Sequence, residues 1–370
     1  MYVRKLTLNN FRNHSNTTLI LGNGINILFG NNAQGKTSIL EAIYLSATAR
    51  SHRTHNRQEM IKWDQSELSV NLDLTKKYFS TTIDFSISSK TKNQTILIDK
   101  LTSSTSNLYG LLNVVFFSQE DLNLIKKDPE TRRRFMDIQL CQMDKVYYNS
   151  LANYHSLLKQ RNSYLKQNQK NSLNSLEMGY LDVMDNTLSD NAVIIIQKRK
   201  NFFEMLNSKI LHIHQNISNS NETLELVYKP NVLAENFKCA MKEKKESDIK
   251  LGQTNIGPQR DDFDILINGK LAKNFASQGQ QRTAIISMKL AQVQMIIDQL
   301  GDPPVLLLDD VLAELDINRQ NCLFSYTKNI QTLITCTGID TEIFKNEKNL
   351  RVFAITESNI VCKDYTSMIY

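Results

Sequence analysis

One eight-residue stretch constrains this chain more than any other: Gly30-Asn31-Asn32-Ala33-Gln34-Gly35-Lys36-Thr37. Its spacing is that of a phosphate-binding loop, G-x-x-x-x-G-K-[ST]. The residues ahead of it, Ile25-Asn26-Ile27-Leu28-Phe29, read as a buried strand, and those behind it, Ser38-Ile39-Leu40-Glu41-Ala42-Ile43-Tyr44-Leu45, read as a helix. That context is what anion binding requires. Glycines let the backbone curl so that successive N–H groups point inward, and the helix N-terminus adds its partial positive charge. Lys36 then reaches the β- and γ-phosphates of a nucleotide, and the Thr37 hydroxyl sits on Mg²⁺. All eight residues are therefore candidate ATP-binding positions, and the strand–loop–helix unit commits the chain to an α/β fold.

A second half-site lies far downstream. Val305-Leu306-Leu307-Leu308-Asp309-Asp310 is an apolar run ending in two acids. As a parallel strand beside the loop strand, it would bring its carboxylates next to Thr37. Asp309 is then a Mg²⁺ ligand acting through water, and Asp310 is the catalytic candidate that orients or deprotonates the attacking water. Six residues on, Asp316 falls where ABC-type ATPases carry their D-loop acid. Ser277-Gln278-Gly279-Gln280 precedes a helix with Ile285, Ile286, Met288, Leu290, Val293 and Ile297 on its apolar positions. A hydroxyl, a close-approach glycine and free N–H groups make this a further anion site. It resembles the ABC signature, which in that class covers the γ-phosphate held by a second subunit.

Composition narrows the setting. The chain has 370 residues and is 41% hydrophobic, enough for one large or two ordinary domains with real cores. A formal charge of +6 permits nucleic-acid binding without arguing for it alone. Cys141, Cys239, Cys322, Cys336 and Cys362 form no C-x-x-C pair, so neither a zinc site nor a disulfide framework is expected. With no signal-peptide core at the N-terminus and no apolar run near the ~20 residues a bilayer needs, a soluble cytoplasmic protein is expected, without a membrane partner.

The opening alternates apolar and polar residues at Val3, Leu6, Leu8, Leu19 and Leu21, and again from Leu68 to Ile98, in β style. The middle is helical. Asp128-Pro129-Glu130 is a helix start. Tyr147, Leu151, Tyr154, Leu158 and Leu165 form one stripe, and Leu181 to Ile217 form a second, with the polar stretch Lys166–Ser172 between them. The expected result is an antiparallel helical hairpin whose second helix is about 55 Å long. The domain boundaries expected are 1–117 with 301–370 as a nucleotide-binding lobe, and 118–300 as a helical arm with the signature lobe.

Taken together, these motifs resemble the RecF family of recombination-mediator ATPases, relatives of SMC and Rad50 heads. Beyond the motifs above, the resemblance rests on Asn10-Phe11-Arg12-Asn13, Leu40-Glu41-Ala42-Ile43, Arg50-Ser51-His52-Arg53-Thr54, Asp128-Pro129 with Arg132-Arg133-Arg134-Phe135 and Asp137, Gly257-Pro258-Gln259-Arg260-Asp261-Asp262, and Gly279-Gln280-Gln281-Arg282. Gln259 stands where the family commonly has His, and Thr335-Cys336-Thr337 occupies the place of a switch histidine. The resemblance implies an ABC-type P-loop ATPase head (Rad50/SMC-like) with a helical arm and no long coiled coil. It implies ATP and Mg²⁺ as cofactors, slow DNA-stimulated hydrolysis and an ATP-dependent homodimer. It also implies binding to single-stranded and gapped DNA, and work with RecO and RecR to load RecA in repair, replication-fork maintenance and the SOS response. Arg50, Arg53 and Arg57 are the DNA-contact candidates, by phosphate contact. The alternatives are another ABC/SMC-like head and an interaction protein clipped by ATP without significant turnover.

Overall fold

Strict alternation of apolar and polar residues builds the first sheet. In the computed structural model, β1 (Tyr2–Phe11) pairs antiparallel with β2 (His14–Ile20) and with β4 (Glu67–Thr75). The sheet continues through β5 (Ser80–Ser88), β6 (Gln94–Ile98) and β7 (Leu101–Ser103). Every second residue of β4 and β5 is buried, so one face packs and the other is wet. The structure describes all residues except 92, 170–173, 219–221, 339–343, 345–348, 357–358 and 364–370.

The centre of the second sheet is built from largely apolar, buried runs, the signature of strands covered on both faces. Its order is β15 (Asn359–Lys363), β14 (Leu350–Thr356), β3 (Ile25–Phe29), β13 (Thr332–Cys336), β12 (Val305–Asp309) and β8 (Val114–Ser118). All neighbours are parallel except β15 with β14. The loop strand β3 is thus central. The acid-bearing strand β12 is not its neighbour, as the sequence had suggested; β13 lies between them. The helix Lys36–Thr48 leaves the phosphate loop and is buried on nearly every side.

The chain divides into two compact units, Met1–Leu122 with His212–Asn221 and Gln278–Tyr370, and Asn123–Leu211 with Glu222–Ser277. Relative to the expected lobes, 118–122, 212–221 and 278–300 fall with the nucleotide-binding residues. For 278–300 the reason is local: Lys289 on that helix donates to the Phe116 carbonyl of β8 (2.7 Å) and pairs with Asp121 (2.8 Å).

In the second unit, the helix Lys145–Asn168 runs antiparallel to the part of the helix Ser175–Ser218 that precedes His212: Arg161 meets Asp185, and Tyr164 reaches the Glu177 carbonyl. The second helix is longer than expected, at 44 residues, or about 66 Å at 1.5 Å per residue. Part of the expected polar connection, 170–172, lies outside the described residues. The mixed-charge stretch at 236–250 forms the helix Phe237–Leu251. A three-stranded antiparallel sheet joins β9 (Leu224–Lys229), β10 (Asp262–Ile267) and β11 (Lys270–Leu271).

The centre of this unit is polar. Buried Arg199 donates to Tyr147 Oη (3.0 Å), the Pro258 carbonyl (2.8 Å), Asp261 (2.8 Å) and Asp137 (2.8 Å). A buried guanidinium is tolerable only when paired and hydrogen-bonded in this way. Gly257 is required here, because a Cβ would lie 2.2 Å from Tyr154 Oη. The Tyr154 hydroxyl donates to Gln259, whose amide donates to the Ile256 carbonyl. The Gly257–Asp262 segment thereby ties the base of the helical hairpin to its sheet.

Candidate nucleotide site

The phosphate loop takes its shape from two close approaches. At Gly30 a Cβ would lie 2.3 Å from the Ile355 carbonyl of β14. Gly35 has φ +95°, a left-handed conformation, and a Cβ there would lie 2.6 Å from His14 Nε2. Only glycine fits either position. His14, wholly buried, contacts the Gly35 carbonyl at 3.2 Å and Thr17 at 3.1 Å, fixing the loop from behind. Burial, reinforced by the charge of Lys62 and opposed by the hydrogen bond to Gly35, lowers its pKa.

Lys36 is buried, and its ammonium donates to the carbonyls of Gly30 (2.6 Å) and Asn31 (2.9 Å). The next residue links both ends of the chain: Thr37 Oγ1 donates to Asp309 Oδ1 at 2.9 Å. Thr335 on the intervening β13 donates to the same oxygen at 2.8 Å, and its own oxygen accepts the Asp310 N–H at 2.9 Å. Thr335 thus joins the two acids, a connection that sequence reasoning had not drawn. Burial pushes the Asp309 carboxyl up, partly offset by the bonds from Thr335 and Thr37, with Asp310 adding to the rise. Asp310 has φ +52°, a region that Asp and Asn tolerate better than most residues. A hydroxyl and a carboxylate oxygen held together are hard ligands. Mg²⁺ needs only one or two carboxylates beside phosphate oxygens and water, so Thr37 and Asp309 fit such an ion.

In front of the loop is a cleft of about 670 Å³, lined by residues including Asn32, Gln34, Lys36, Thr37 and Asp310. That volume is within the range of small-molecule sites. Arg12, Arg53, Lys62 and Trp63 also line it. Arg12 donates to both carboxylate oxygens of Glu41 (2.9 and 2.6 Å) and to the Glu59 carbonyl (2.7 Å). Ser51 also donates to Glu41 (2.5 Å), and Arg53 pairs with it at 3.6 Å. Two separate sequence segments therefore converge on one buried acid. Burial pushes the Glu41 carboxyl up, but the hydrogen bonds from Arg12 and Ser51, with the charge of Arg12, outweigh it and hold the pKa below the ordinary range. A carboxyl lowered on folding stabilises above its unfolded pKa and ceases to as pH falls through its folded one. Urea denaturation of Glu41→Gln is therefore expected to show a flatter loss of stability on acidification than wild type; equal slopes would remove Glu41 from the acid response.

The residues of the basic cluster after the loop helix have different surroundings, although Arg50, Arg53 and Arg57 are all exposed. Arg53 lines the cleft, Arg50 and Arg57 are exposed, and the His52 ring packs against Phe116 (4.2 Å between centroids) and Tyr44. Arg132 and Arg133 are engaged within their own unit: Arg132 makes two bonds to Asp262 (2.6 and 2.9 Å), and Arg133 donates to the Asp261 carbonyl. Ser277 and Gln278 are exposed at the start of the helix Gln278–Leu300, with Gly279 and Gln280 partly so. Asp316 caps the helix Ile317–Tyr326 through the Arg319 N–H (2.9 Å) and pairs with the Arg319 side chain.

This arrangement defines a P-loop ATPase head, and comparison with known proteins agrees. The family model for the RecF/RecN/SMC N-terminal domain matches residues 2–360. The structure of a P. furiosus SMC head shares the fold, with a TM-score of 0.58 at 13% identity, covering 100% of this chain and 98% of that one. Among curated proteins, "DNA replication and repair protein RecF" of Lachnoclostridium phytofermentans is 40% identical over 361 residues, covering 97% of this chain and 99% of the relative. The protein of the same name from Clostridium botulinum (strain ATCC 19397 / Type A) is 39% identical over 368 residues, with 97% and 99% covered. A solved RecF–ATP structure, described as a recombination mediator in the RecFOR pathway, superimposes with a TM-score of 0.89 at 31% identity over 98% of both chains. The chain belongs to the RecF family, within the wider RecF/RecN/SMC class.

Proposed function

We propose that this chain is an ATP-gated recombination mediator. ATP binds at Gly30–Thr37. Lys36 neutralises the terminal phosphates, and Thr37 and Asp309 hold Mg²⁺, which supplies charge neutralisation at the phosphates when bound. Asp310 orients or deprotonates the attacking water. Ser277, Gln278, Gly279 and Gln280 of a second copy close over the γ-phosphate, with Asp316 at the same junction, so ATP favours the dimer because it contacts both copies. The dimer forms a surface for single-stranded and gapped DNA. Arg50 and Arg57, both exposed, are its candidate phosphate contacts, and Arg53 is assigned to the cleft instead. The resemblance and the RecFOR relative support action with RecO and RecR, upstream of RecA, in the cytoplasm. Among the described residues no helix is long and apolar enough to cross a membrane.

The observation that carries this reading is the chain of hydrogen bonds from Thr37 through Asp309 and Thr335 to Asp310, beside the buried Lys36 ammonium. The signature assignment has its own test. Ser277→Arg is expected to abolish ATP-dependent dimerisation in sedimentation while the monomer still binds nucleotide. Loss of nucleotide binding as well would place the signature in its own copy's site.

A further inference from the structure

We propose that Trp63 is the stacking platform for the nucleobase of the bound nucleoside triphosphate. The inference rests on the ATP-site reading above and names a part of that site.

Trp63 is the only tryptophan in the sequence, and it is 91% exposed. An indole left in water forgoes a large burial gain, so its position calls for a reason. It lines the same cleft as the phosphate loop, together with Asn13 and Ile61. The backbone that presents it is fixed. Arg12 N–H donates to the Met60 carbonyl, and Lys62 N–H donates to the Asn10 carbonyl, both at 2.8 Å, fastening the segment to the end of β1. Gln65 N–H then closes back on the Lys62 carbonyl (3.1 Å), with Asp64 at φ +63°. This is a tight turn with a left-handed third residue, and Trp63 is its second residue, projecting from an anchored hairpin-like corner.

The neighbouring cation is occupied elsewhere: Lys62 Nζ bonds to Ser15 Oγ and, at 3.5 Å, to the Asn13 carbonyl. Loop, lysine and acids account for the triphosphate and Mg²⁺ but offer nothing flat and apolar to the base. A base has a π-face whatever its edge groups, so stacking on an indole gives affinity with little discrimination among bases. It favours a purine over a pyrimidine by area alone. Burial of the indole under the base recovers the apolar contact that the free protein lacks.

The test uses the full-length protein and two probes, ATP and inorganic tripolyphosphate, which carries the phosphates without the base. In wild type, ATP is expected to change the fluorescence of the single tryptophan and tripolyphosphate to leave it unaltered. In calorimetry, Trp63→Ala is expected to weaken ATP by about 5- to 150-fold, the range that stacking on one aromatic supports, while tripolyphosphate affinity is unchanged. Trp63→Phe should recover most of the loss. Equal ATP affinity in wild type and Trp63→Ala overturns the platform and leaves the ATP site standing. Equal weakening of both probes also overturns it, since the defect then lies in the phosphate site. Failure of wild type to bind either probe overturns the ATP-site reading itself. An indole that responds to gapped DNA but not to ATP reassigns Trp63 to a DNA surface.

Discussion

Lys36→Ala is expected to lower ATP affinity by about a hundredfold or more, the effect of removing one partner from a desolvated charge contact. Two losses combine. The bound triphosphate loses its nearest cation. The loop loses the ammonium that holds the Gly30 and Asn31 carbonyls at 2.6 and 2.9 Å, so those groups turn and the N–H cradle is no longer preset. The remaining cations that line the cleft do not substitute: Arg12 and Arg53 are tied to Glu41, and Lys62 to Ser15 and the Asn13 carbonyl. A thermal-shift titration reads this directly. Ligand at a hundred times its Kd stabilises the native state by about 2.7 kcal/mol, so wild type shifts with ATP and the variant does not at the same concentration. A variant that shifts like wild type would detach the phosphate loop from nucleotide binding.

Asp310→Asn is expected to keep ATP affinity and to lose hydrolysis by about 10²- to 10⁴-fold, the usual contribution of a positioned general base. Asparagine is nearly isosteric and tolerates the left-handed backbone at φ +52°. The Asp310 N–H to Thr335 bond survives, because it uses the main chain. The Mg²⁺ candidates Thr37 and Asp309 are untouched. With binding intact and turnover blocked, ATP should trap the dimer, visible by sedimentation as a stable species at twice the monomer mass. A variant that dimerises no more than wild type in ATP would show that Asp310 does not limit hydrolysis. Wild-type turnover is itself expected to be well below the enzyme median of ~10 s⁻¹, because an aspartate reaches less far than the glutamate many ABC ATPases use.

What the sequence made legible follows from locality. The phosphate loop is contiguous, its strand and helix are its immediate neighbours, and its identity needed no long-range information. The α/β class and the antiparallel hairpin of the second unit were likewise readable from apolar spacing. Strand order was not. Nothing local says that β13 separates β3 from β12, and so nothing local revealed that Thr335 would join Asp309 to Asp310. The Arg12–Glu41–Ser51–Arg53 cluster escaped notice for the same reason. Arg12 follows the end of a strand, Glu41 lies in an apolar helix, and Arg53 sits in a loop whose basic residues suggested DNA. Trp63 stands among polar residues in Lys62-Trp63-Asp64-Gln65, where no periodicity marks it. Its relation to the cleft exists only once 60–62 is fastened to β1.

The central position of β3 has a consequence for how the molecule is made. Its two neighbours, β13 and β14, come from the last part of the chain: Ile25 pairs with Thr332 on one side and with Leu350 on the other. On a ribosome adding about 5–20 residues per second, the interval between emergence of the loop strand and of β14 is roughly 15–65 s. Through that time the phosphate loop lacks the Ile355 backbone that walls Gly30, and β3 has two unpaired edges until β13 is made and one thereafter. The nucleotide site is thus completed only once β14 has been made, and a chain truncated before β14 lacks both the wall behind Gly30 and one of the two partners of β3.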